Sequence, residues 1–413
     1  MPLVTRFKTH PWVRKLGHHL RRAGRDFPRL LPMQGTPTLR RWSGRPIGLY
    51  DKVADYLGVY PSRGWIKTIS PGGSYERITP LPAGGPLPVQ FVGRQTVSWP
   101  DEKIFWIENC RYWGYYGGSI VTHDDRIIFE LSPDVWGSNR HAMLSRLRLP
   151  PLQHLSGLTA VISTPEADTN YSHWMVDLLP RIELLRQAGF GADKVDRYLV
   201  NVGRAPYHRE TLNLLGIPQN KIFAVDGNSH YRCDSIVTTS HRPAHWRFCM
   251  PAWIPVHLEK SFVRNRPSRM PRRRIYLSRK DCAYRRIQNE DAVAKLMLDN
   301  GFEILEPSTI SVEDQAQTFA TATAIVSAHG SALTNLIFCR AGTRVVEIFP
   351  NQYFDASFWT MASAKQCWYA ATTADGGGTI DDRIPYMEGQ RKDVHISLKA
   401  LATALNVFDD GMD

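Results

Sequence analysis

The sequence lacks the features that mark several protein classes. It has no uninterrupted apolar run near the ~18 residues that a membrane-spanning helix needs, and its beginning lacks the apolar segment of a secretion signal. Its six cysteines are scattered without a CxxC pair, so neither a zinc site nor a disulfide framework is indicated. These absences favour a cytoplasmic protein with free thiols.

The sequence does contain enough apolar residues for a large folded chain. Of its 413 residues 43% are hydrophobic and 12 are tryptophan, which differs from the apolar-poor composition of disordered chains. One hydrophobic core rarely serves more than about 250–300 residues. The length therefore predicts two domains with additional segments.

The net charge of +12 is concentrated in two segments. Residues 1–46 carry eleven Lys and Arg against the single acid Asp26, and residues 264–286 carry ten against Asp281. Apolar residues interleave with the cations of residues 1–46, as in a basic amphipathic helix that lies on an anionic membrane. Glycines and prolines interrupt this pattern, so a basic tail without a partner fits equally well.

The predicted order of strands and helices indicates an α/β fold. Residues 44–88 are rich in Pro and Gly and predict little regular structure, whereas residues 89–131 predict β-hairpins that begin with a strand at 90–92. From residue 158 short apolar runs alternate with helical patterns, and this alternation restarts at residue 274. The pattern predicts two Rossmann-like domains, each a parallel sheet covered by helices, that face each other across a cleft.

Two segments of the second strand–helix series have backbone or side-chain groups that can bind phosphate. Residues 325–335 (IVSAHGSALTN) run from a buried strand through a small polar turn into a helix, whose free N–H groups and dipole attract phosphate. Residues 272–281 (RRRIYLSRKD) end another strand with Arg279 and Lys280, whose charges suit phosphate oxygens. A plain βα turn and a solvated basic loop are the alternatives.

One segment of the first series carries a candidate acid–base pair. His173 and Asp177 lie four residues apart in residues 170–181 (NYSHWMVDLLPR), so they share one face of the predicted helix. His173 can accept a proton from a hydroxyl group, and Asp177 can stabilise the imidazolium that forms. A structural hydrogen bond between the two residues is the alternative.

Taken in order, these segments resemble glycosyltransferase family 61. The resemblance rests on HWMVDLLPR (173–181), YLSRKD (276–281), RxxNE (286–290), VSAHGSALTN (326–335) and GTRVVEIFP (342–350), and it covers roughly residues 158–350. It implies an inverting enzyme of the two-domain GT-B type that uses a nucleotide diphosphate sugar, often a UDP-sugar. Because the chain lacks the secretory anchor typical of eukaryotic members, it resembles the bacterial branch that assembles capsular and other surface polysaccharides.

The resemblance also implies roles for parts of the chain. The predicted divisions are a basic arm at 1–46, an acceptor-side domain at 47–255 that is β-rich before residue 158, a donor domain at 270–385, and a C-terminal helix and tail at 386–413. The residues predicted to bind the donor are Arg279, Lys280, Asn289, Ser327, His329, Gly330, Ser331, Asn335 and Glu347. Among them Glu347 is expected to contact the ribose hydroxyls.

The predicted reaction is a single displacement, in which an acceptor hydroxyl attacks the anomeric carbon opposite the departing diphosphate. His173 supported by Asp177 is the predicted base, and Asp177 acting directly is the alternative. Arg279, Lys280 and the helix near Gly330 would stabilise the diphosphate without a metal or other cofactor. The expected partners are a nucleotide-sugar donor and a glycan or glycolipid acceptor. A basic nucleic-acid-binding protein and a catalytically silent sugar-nucleotide-binding relative are the alternative functions.

Overall fold

The computed structural model of the protein describes residues 42–133, 141–241, 249–264, 273–381, 383 and 386–408. Residues 1–41 of the predicted basic arm lie outside the described residues, and so does their predicted membrane contact. Within the described part of the chain, no helix is both long enough and apolar enough to cross a bilayer.

The described residues form a mixed α/β structure. The strands of the first half are β1 (Gly48–Tyr50), β2 (Gly64–Ser70), β3 (Gly73–Glu76), β4 (Leu81–Pro82), β5 (Thr96–Trp99), β6 (Glu102–Trp113), β7 (Ser119–Val121), β8 (Arg126–Ile128), β9 (Gln153–Val161), β10 (Arg197–Val200), β11 (Ile222–Ala224) and β12 (His230–Thr239). The strands of the second half are β13 (Arg273–Leu277), β14 (Glu303–Leu305), β15 (Ala322–Ala328), β16 (Arg344–Phe349) and β17 (Trp368–Thr373). The α-helices are α1 (Val53–Val59), α2 (Tyr171–His173), α3 (Leu179–Gln187), α4 (Pro206–Leu214), α5 (Trp253–Phe262), α6 (Glu290–Asp299), α7 (Val312–Ala320), α8 (Ser357–Ala364), α9 (Tyr386–Gly389) and α10 (Leu398–Leu405).

The first sheet is mixed and has the strand order β1-β8-β7-β6-β12-β9-β10-β11, with β2 also paired to β6. Strands β12, β9, β10 and β11 are parallel, whereas β6 runs antiparallel to β12. Because the chain leaves β9 for β10 on one side and later returns to β12 on the other, the strand order reverses between β9 and β12. Such a switch point leaves a crevice outside the carboxyl ends of the strands, here after Val161 and Thr239.

The second sheet is parallel and has the order β14-β13-β15-β16-β17-β4. Successive residues of its strands enter different apolar clusters, as Ile275 and Leu277 do on one face and Tyr276 on the other. The sheet is therefore buried on both faces, which explains the nearly continuous apolar runs in its strands. Its order reverses between β13 and β15, so the crevice lies after Leu277 and Ala328.

The two sheets are separate, yet the chain crosses between the two halves. Strand β4 pairs with β17, and the ring of Phe91 packs on Phe354 and Trp359 with centroids 4.9 and 5.1 Å apart. The indole N–H of Trp359 donates to the carbonyl of Ile78 at 2.7 Å. Part of the predicted acceptor-side range thus packs in the second half, and the domain boundaries themselves stay a prediction.

The alternation of strands and helices predicted from residue 158 and again from residue 274 is present, with β9 beginning at Gln153 and β13 at Arg273. The expectation of little structure at 44–88 is wrong, because β1, α1, β2, β3 and β4 lie there. Gly64 in this range allows close packing of strands, since a Cβ atom there would lie 2.3 Å from the carbonyl oxygen of Trp106. The strand predicted at 90–92 is also wrong: Val89–Phe91 is a 3-10 helix, and Phe91 is buried in the apolar cluster that contains Phe349 and Trp359.

Candidate functional site

The motif segments 170–181 and 325–335, which are far apart in sequence, contact each other. The hydroxyl of Tyr171 donates to Oδ1 of Asn335 at 2.8 Å, and the hydroxyls of Ser172 and Thr334 are hydrogen bonded at 2.5 Å. His173 follows directly in the first segment. It therefore lies where the first half meets the second.

The local geometry of His173 comes from an irregular helix. Helix α2 begins after Asn170, whose side chain accepts the N–H of Ser172 at 2.9 Å. A π-helical turn, Trp174–Leu178, then joins α2 to α3. Pro180 near the start of α3 has no N–H to donate to the preceding turn, which favours this widening. Such π turns often occur at functional sites.

Two carboxylates flank the His173 ring. Its Nδ1 atom is 2.7 Å from Oδ2 of Asp177, as the spacing predicted, and its Nε2 atom is 3.5 Å from Oε2 of Glu166. Burial alone would lower the pKa of His173, but the hydrogen bond and charge of Asp177, with the charges of Glu166 and Asp355, raise it above the ordinary value. The ring therefore holds a proton more readily than a free histidine does.

Glu166 reaches His173 from a tight loop after β9. Its backbone φ of 61° lies in the left-handed region, which is uncommon outside glycine. Asn201 holds the backbone two residues before Glu166. Its side chain accepts the N–H of Thr164 at 3.1 Å and donates to the carbonyl of Thr164 at 2.7 Å. The first-half crevice thus presents a carboxylate next to the predicted base.

Arg279 lies at the carboxyl end of β13, in the second-half crevice. It is only 6% exposed, and its Nε and Nη2 atoms donate to the carbonyls of Arg285 and Tyr284 at 2.9 and 3.0 Å. Burial lowers the pKa of this guanidinium. No carboxylate in the described part of the chain forms an ion pair with it, and an isolated buried cation is costly unless an anion joins it.

Arg285 is a second buried cation at this site and lies outside the predicted donor-binding set. It is 7% exposed, its Nη1 atom donates to the carbonyl of Gln390 at 3.0 Å, and its Nε atom has no hydrogen-bond partner among the described residues. Its guanidinium lies 5.4 Å from the ring centre of Tyr353. In the sequence, only the two consecutive arginines at 285–286 marked this position, and such a pair is equally typical of an exposed basic loop.

His329 and Gly330 follow β15 in the same crevice. The Nδ1 atom of His329 is hydrogen bonded to Oε1 of Glu347, and Oε2 of Glu347 accepts the hydroxyl of Tyr369. Glu347 is fully buried, and this burial raises the pKa of its carboxyl well above the ordinary value. Both carboxyl oxygens are engaged inside the protein, so the predicted contact with a ribose would require these bonds to be exchanged.

The remaining predicted donor residues lie at varying distances from this crevice. Lys280 is exposed and pairs with Asp291 at 2.8 Å. The side chain of Asn289 bonds both backbone groups of Ile396, at 2.8 and 3.0 Å, and thereby holds the C-terminal segment. Asn335 is fully buried between the two halves. Their roles in donor binding stay predictions.

Two serines complete the predicted set. The hydroxyl of Ser327 is buried and donates to the carbonyl of Ala328 at 2.8 Å. Ser331 is half-buried and begins the helix Ser331–Phe338, which is a 3-10 helix. Among the described residues, no group of three or more His, Cys, Asp or Glu side chains is arranged to hold a metal ion.

Gly330 allows Arg279 to lie where it does. A Cβ atom on residue 330 would lie 1.8 Å from Nη1 of Arg279, and that guanidinium is fixed by two backbone carbonyls. We expect Gly330→Ala to lower the free energy of unfolding by about 1–3 kcal/mol, the usual cost of overpacking. Chemical denaturation measures it.

Gly58→Ala is the matched control, because Gly58 lies in α1 and no atom of the described residues would lie within 4 Å of its Cβ. It should be neutral or stabilising, since alanine favours a helix more than glycine does. Equal stabilities of the Gly330→Ala variant and the wild type would mean that Arg279 moves aside at no cost, and would remove the steric argument.

Two comparisons relate the chain to known proteins. A search of the curated proteins gave no match to the chain. The family model described as Glycosyltransferase 61 matches residues 171–346, a range that contains His173, Arg279 and His329 and ends just before Glu347. Residues 171–346 are thus similar to glycosyltransferase family 61, and the protein is a glycosyltransferase.

Proposed function

We propose that the protein is an inverting glycosyltransferase of GT-B architecture that transfers a sugar from a UDP-sugar to a hydroxyl of a glycan or glycolipid, in the assembly of surface polysaccharide or glycoconjugates. The observation that carries the proposal is the second-half crevice, where Arg279 and Arg285 are buried without a carboxylate partner among the described residues. A diphosphate would supply the missing negative charge.

The donor diphosphate is proposed to lie between Arg279, Arg285 and the turn at Gly330. Guanidinium groups bind phosphate oxygens with two parallel hydrogen bonds, and these bonds are strongest where water is excluded. As the bond between the anomeric carbon and the diphosphate breaks, negative charge develops on the leaving oxygen. Fixed cations at this position stabilise that charge without first having to reorganise.

The acceptor hydroxyl is proposed to bind at Nε2 of His173. Its oxygen forms a bond to the anomeric carbon on the face opposite the diphosphate, and its proton passes to Nε2. Asp177, 2.7 Å from Nδ1, stabilises the resulting imidazolium. Because Glu166 lies 3.5 Å from the same Nε2 atom, the incoming hydroxyl must displace or share this carboxylate.

The charges around His173 predict how activity depends on pH. The base must be neutral to accept a proton, and Asp177, Glu166 and Asp355 raise the pKa of His173. We therefore expect kcat/KM to rise with pH and to level off only above the ordinary histidine pKa of about 6.5. Glu166→Gln removes one of the three charges, so it should move this rise to lower pH.

A pH–rate profile of both enzymes measures the effect, with Glu76→Gln as the control. Glu76 is exposed in β3 and bonds only to Thr96 in the described structure. Its variant should keep the wild-type profile. An unchanged profile in Glu166→Gln would mean that this carboxylate does not face His173 in the working enzyme.

A thermal-shift screen with nucleotide sugars tests the proposed donor class. A ligand at about 100 times its Kd stabilises the fold by about 2.7 kcal/mol, and UDP-sugars are expected to do so. A catalytically silent relative would be stabilised without turnover. Tight DNA or RNA binding with a steep salt dependence, and no stabilisation by any nucleotide sugar, would contradict the proposal.

The enzyme is further proposed to be cytoplasmic, held at the inner face of an anionic membrane by residues 1–46. The support is the interleaving of eleven cations with apolar residues in this segment. Sedimentation with anionic vesicles, before and after deletion of residues 1–46, tests the attachment. Equal sedimentation of both forms would leave the segment without this role.

A further inference from the structure

A buried chain of hydrogen bonds lies directly behind the proposed diphosphate site. It runs from Nδ1 of His329 to Oε1 of Glu347, and from Oε2 of Glu347 to the hydroxyl of Tyr369. The exposures of His329, Glu347 and Tyr369 are 4%, 0% and 1%. His329 follows β15, Glu347 lies on β16 and Tyr369 on β17, so three neighbouring strands fix the chain.

The bond between His329 and Glu347 can hold one proton in two arrangements. Either a neutral imidazole accepts a bond from a carboxylic acid, or an imidazolium donates to a carboxylate. Both have the same net charge, so the surroundings decide between them. Burial favours the uncharged pair and raises the pKa of Glu347, whereas the bond from Tyr369 favours the carboxylate.

The charged groups around the pair come from the neighbouring loops. Arg285 follows β13, and its positive charge favours the carboxylate of Glu347, whereas Asp355 follows β16 and opposes it. Arg77 acts on Tyr369. One further charge nearby can therefore change which of the two His329–Glu347 arrangements is favoured. A diphosphate brings such a charge to the Arg279 side of the crevice.

We propose that Glu347 and Tyr369 are positioning residues that supply a proton to His329 when the diphosphate binds. The O–H bond of the Glu347 carboxyl breaks, an N–H bond forms at Nδ1 of His329, and the remaining carboxylate accepts the hydroxyl of Tyr369. The diphosphate then meets an imidazolium without any proton being taken from water. This inference rests on the proposed function, and it replaces the ribose contact predicted for Glu347.

Calorimetric titration with UDP tests the proton's source. Between pH ~7.5 and ~9 a terminal phosphate with a second pKa of about 6 stays ionised, so changes in proton binding come from the protein. Wild-type affinity should be nearly constant over this range, with no net proton uptake. Glu347→Gln should bind UDP about tenfold more weakly at the upper end and recover toward the lower end, because His329 must then take its proton from water.

Tyr369→Phe provides a second variant that preserves the volume of the core. It removes the hydroxyl that stabilises the carboxylate, so UDP should bind about threefold more weakly, still without proton uptake. Tyr276→Phe is the control: Tyr276 is buried on β13 and donates to Glu290 at 3.2 Å, with no bond to the chain behind the site. It should leave UDP affinity unchanged.

Three outcomes separate this inference from the function on which it rests. If Glu347→Gln binds UDP like the wild type at every pH while Arg279→Ala loses affinity, the proton transfer is wrong and the donor site stands. If Glu347→Gln does not fold, equal affinities of Tyr369→Phe and Tyr276→Phe overturn the inference. If the wild type binds neither UDP nor any nucleotide sugar, both the inference and the proposed function fail.

Discussion

Replacement of His173 by alanine should lower turnover by about 10²–10⁴-fold, the usual effect of losing a general base, with UDP affinity unchanged. The ring of His173 is held by Asp177 at 2.7 Å and faces the second half, where the charge of Asp355 acts on it. The proposed diphosphate site lies on other strands, so the substitution should leave it intact. Steady-state turnover and calorimetry on the same preparation measure both quantities.

Asp177→Asn, assayed side by side, distinguishes the two residues of the pair. If His173 is the base, the Asp177 variant should lose less turnover, because it only disturbs the orientation and charge of the imidazole. The reverse order would make Asp177 the base and His173 its helper. Near wild-type turnover in both folded variants would make the pair structural, and the base would then be sought among Glu166, Asp168 and the hairpin residues 123–125.

Arg279→Ala should weaken UDP binding at least tenfold, because one charge-assisted hydrogen bond to a buried group is worth about 1.5–3 kcal/mol. Arg279 is 6% exposed and bonds to two carbonyls of its own loop, which fix the guanidinium against Gly330. Turnover should fall further than affinity does, since the charge on the leaving diphosphate grows in the transition state. Calorimetry with UDP and a turnover assay measure the two effects.

Arg273→Ala is the matched control on the same strand. Arg273 lies at the opposite end of β13 and pairs with Glu303, with contacts of 2.5 and 2.6 Å. Its loss should alter stability slightly and UDP affinity not at all. Wild-type affinity in Arg279→Ala, or equal losses in both variants, would remove Arg279 from the donor site.

The βα order of the chain could be predicted because helices and strands differ in the period of their apolar residues. The bond between His173 and Asp177 followed in the same way from helical spacing. The two residues of β4 carry no such period, and nothing local indicates that they pair with β17. Strand partners are chosen by the whole chain, so neither this crossing nor the two switch points could be derived from sequence.

The site residues show the same limit. Motif segments identified Arg279, His329 and Glu347, but a motif does not distinguish residues that meet a ligand from residues that support them. Glu347 is inside the protein, and Asn289 binds the backbone of Ile396. Tyr369 on β17 emerged only from the structure, which also showed that Glu166 lies next to His173 and that Arg285 is a second buried guanidinium.

If the crevice after β13 and β15 binds the diphosphate of a nucleotide-sugar donor, UDP titrated into the wild-type protein should bind saturably to one site per chain. Arg279→Ala should weaken this binding at least tenfold, and His173→Ala should leave it unchanged. If the folded wild type binds neither UDP nor any nucleotide sugar, or if the binding is insensitive to Arg279, the crevice is not the donor site.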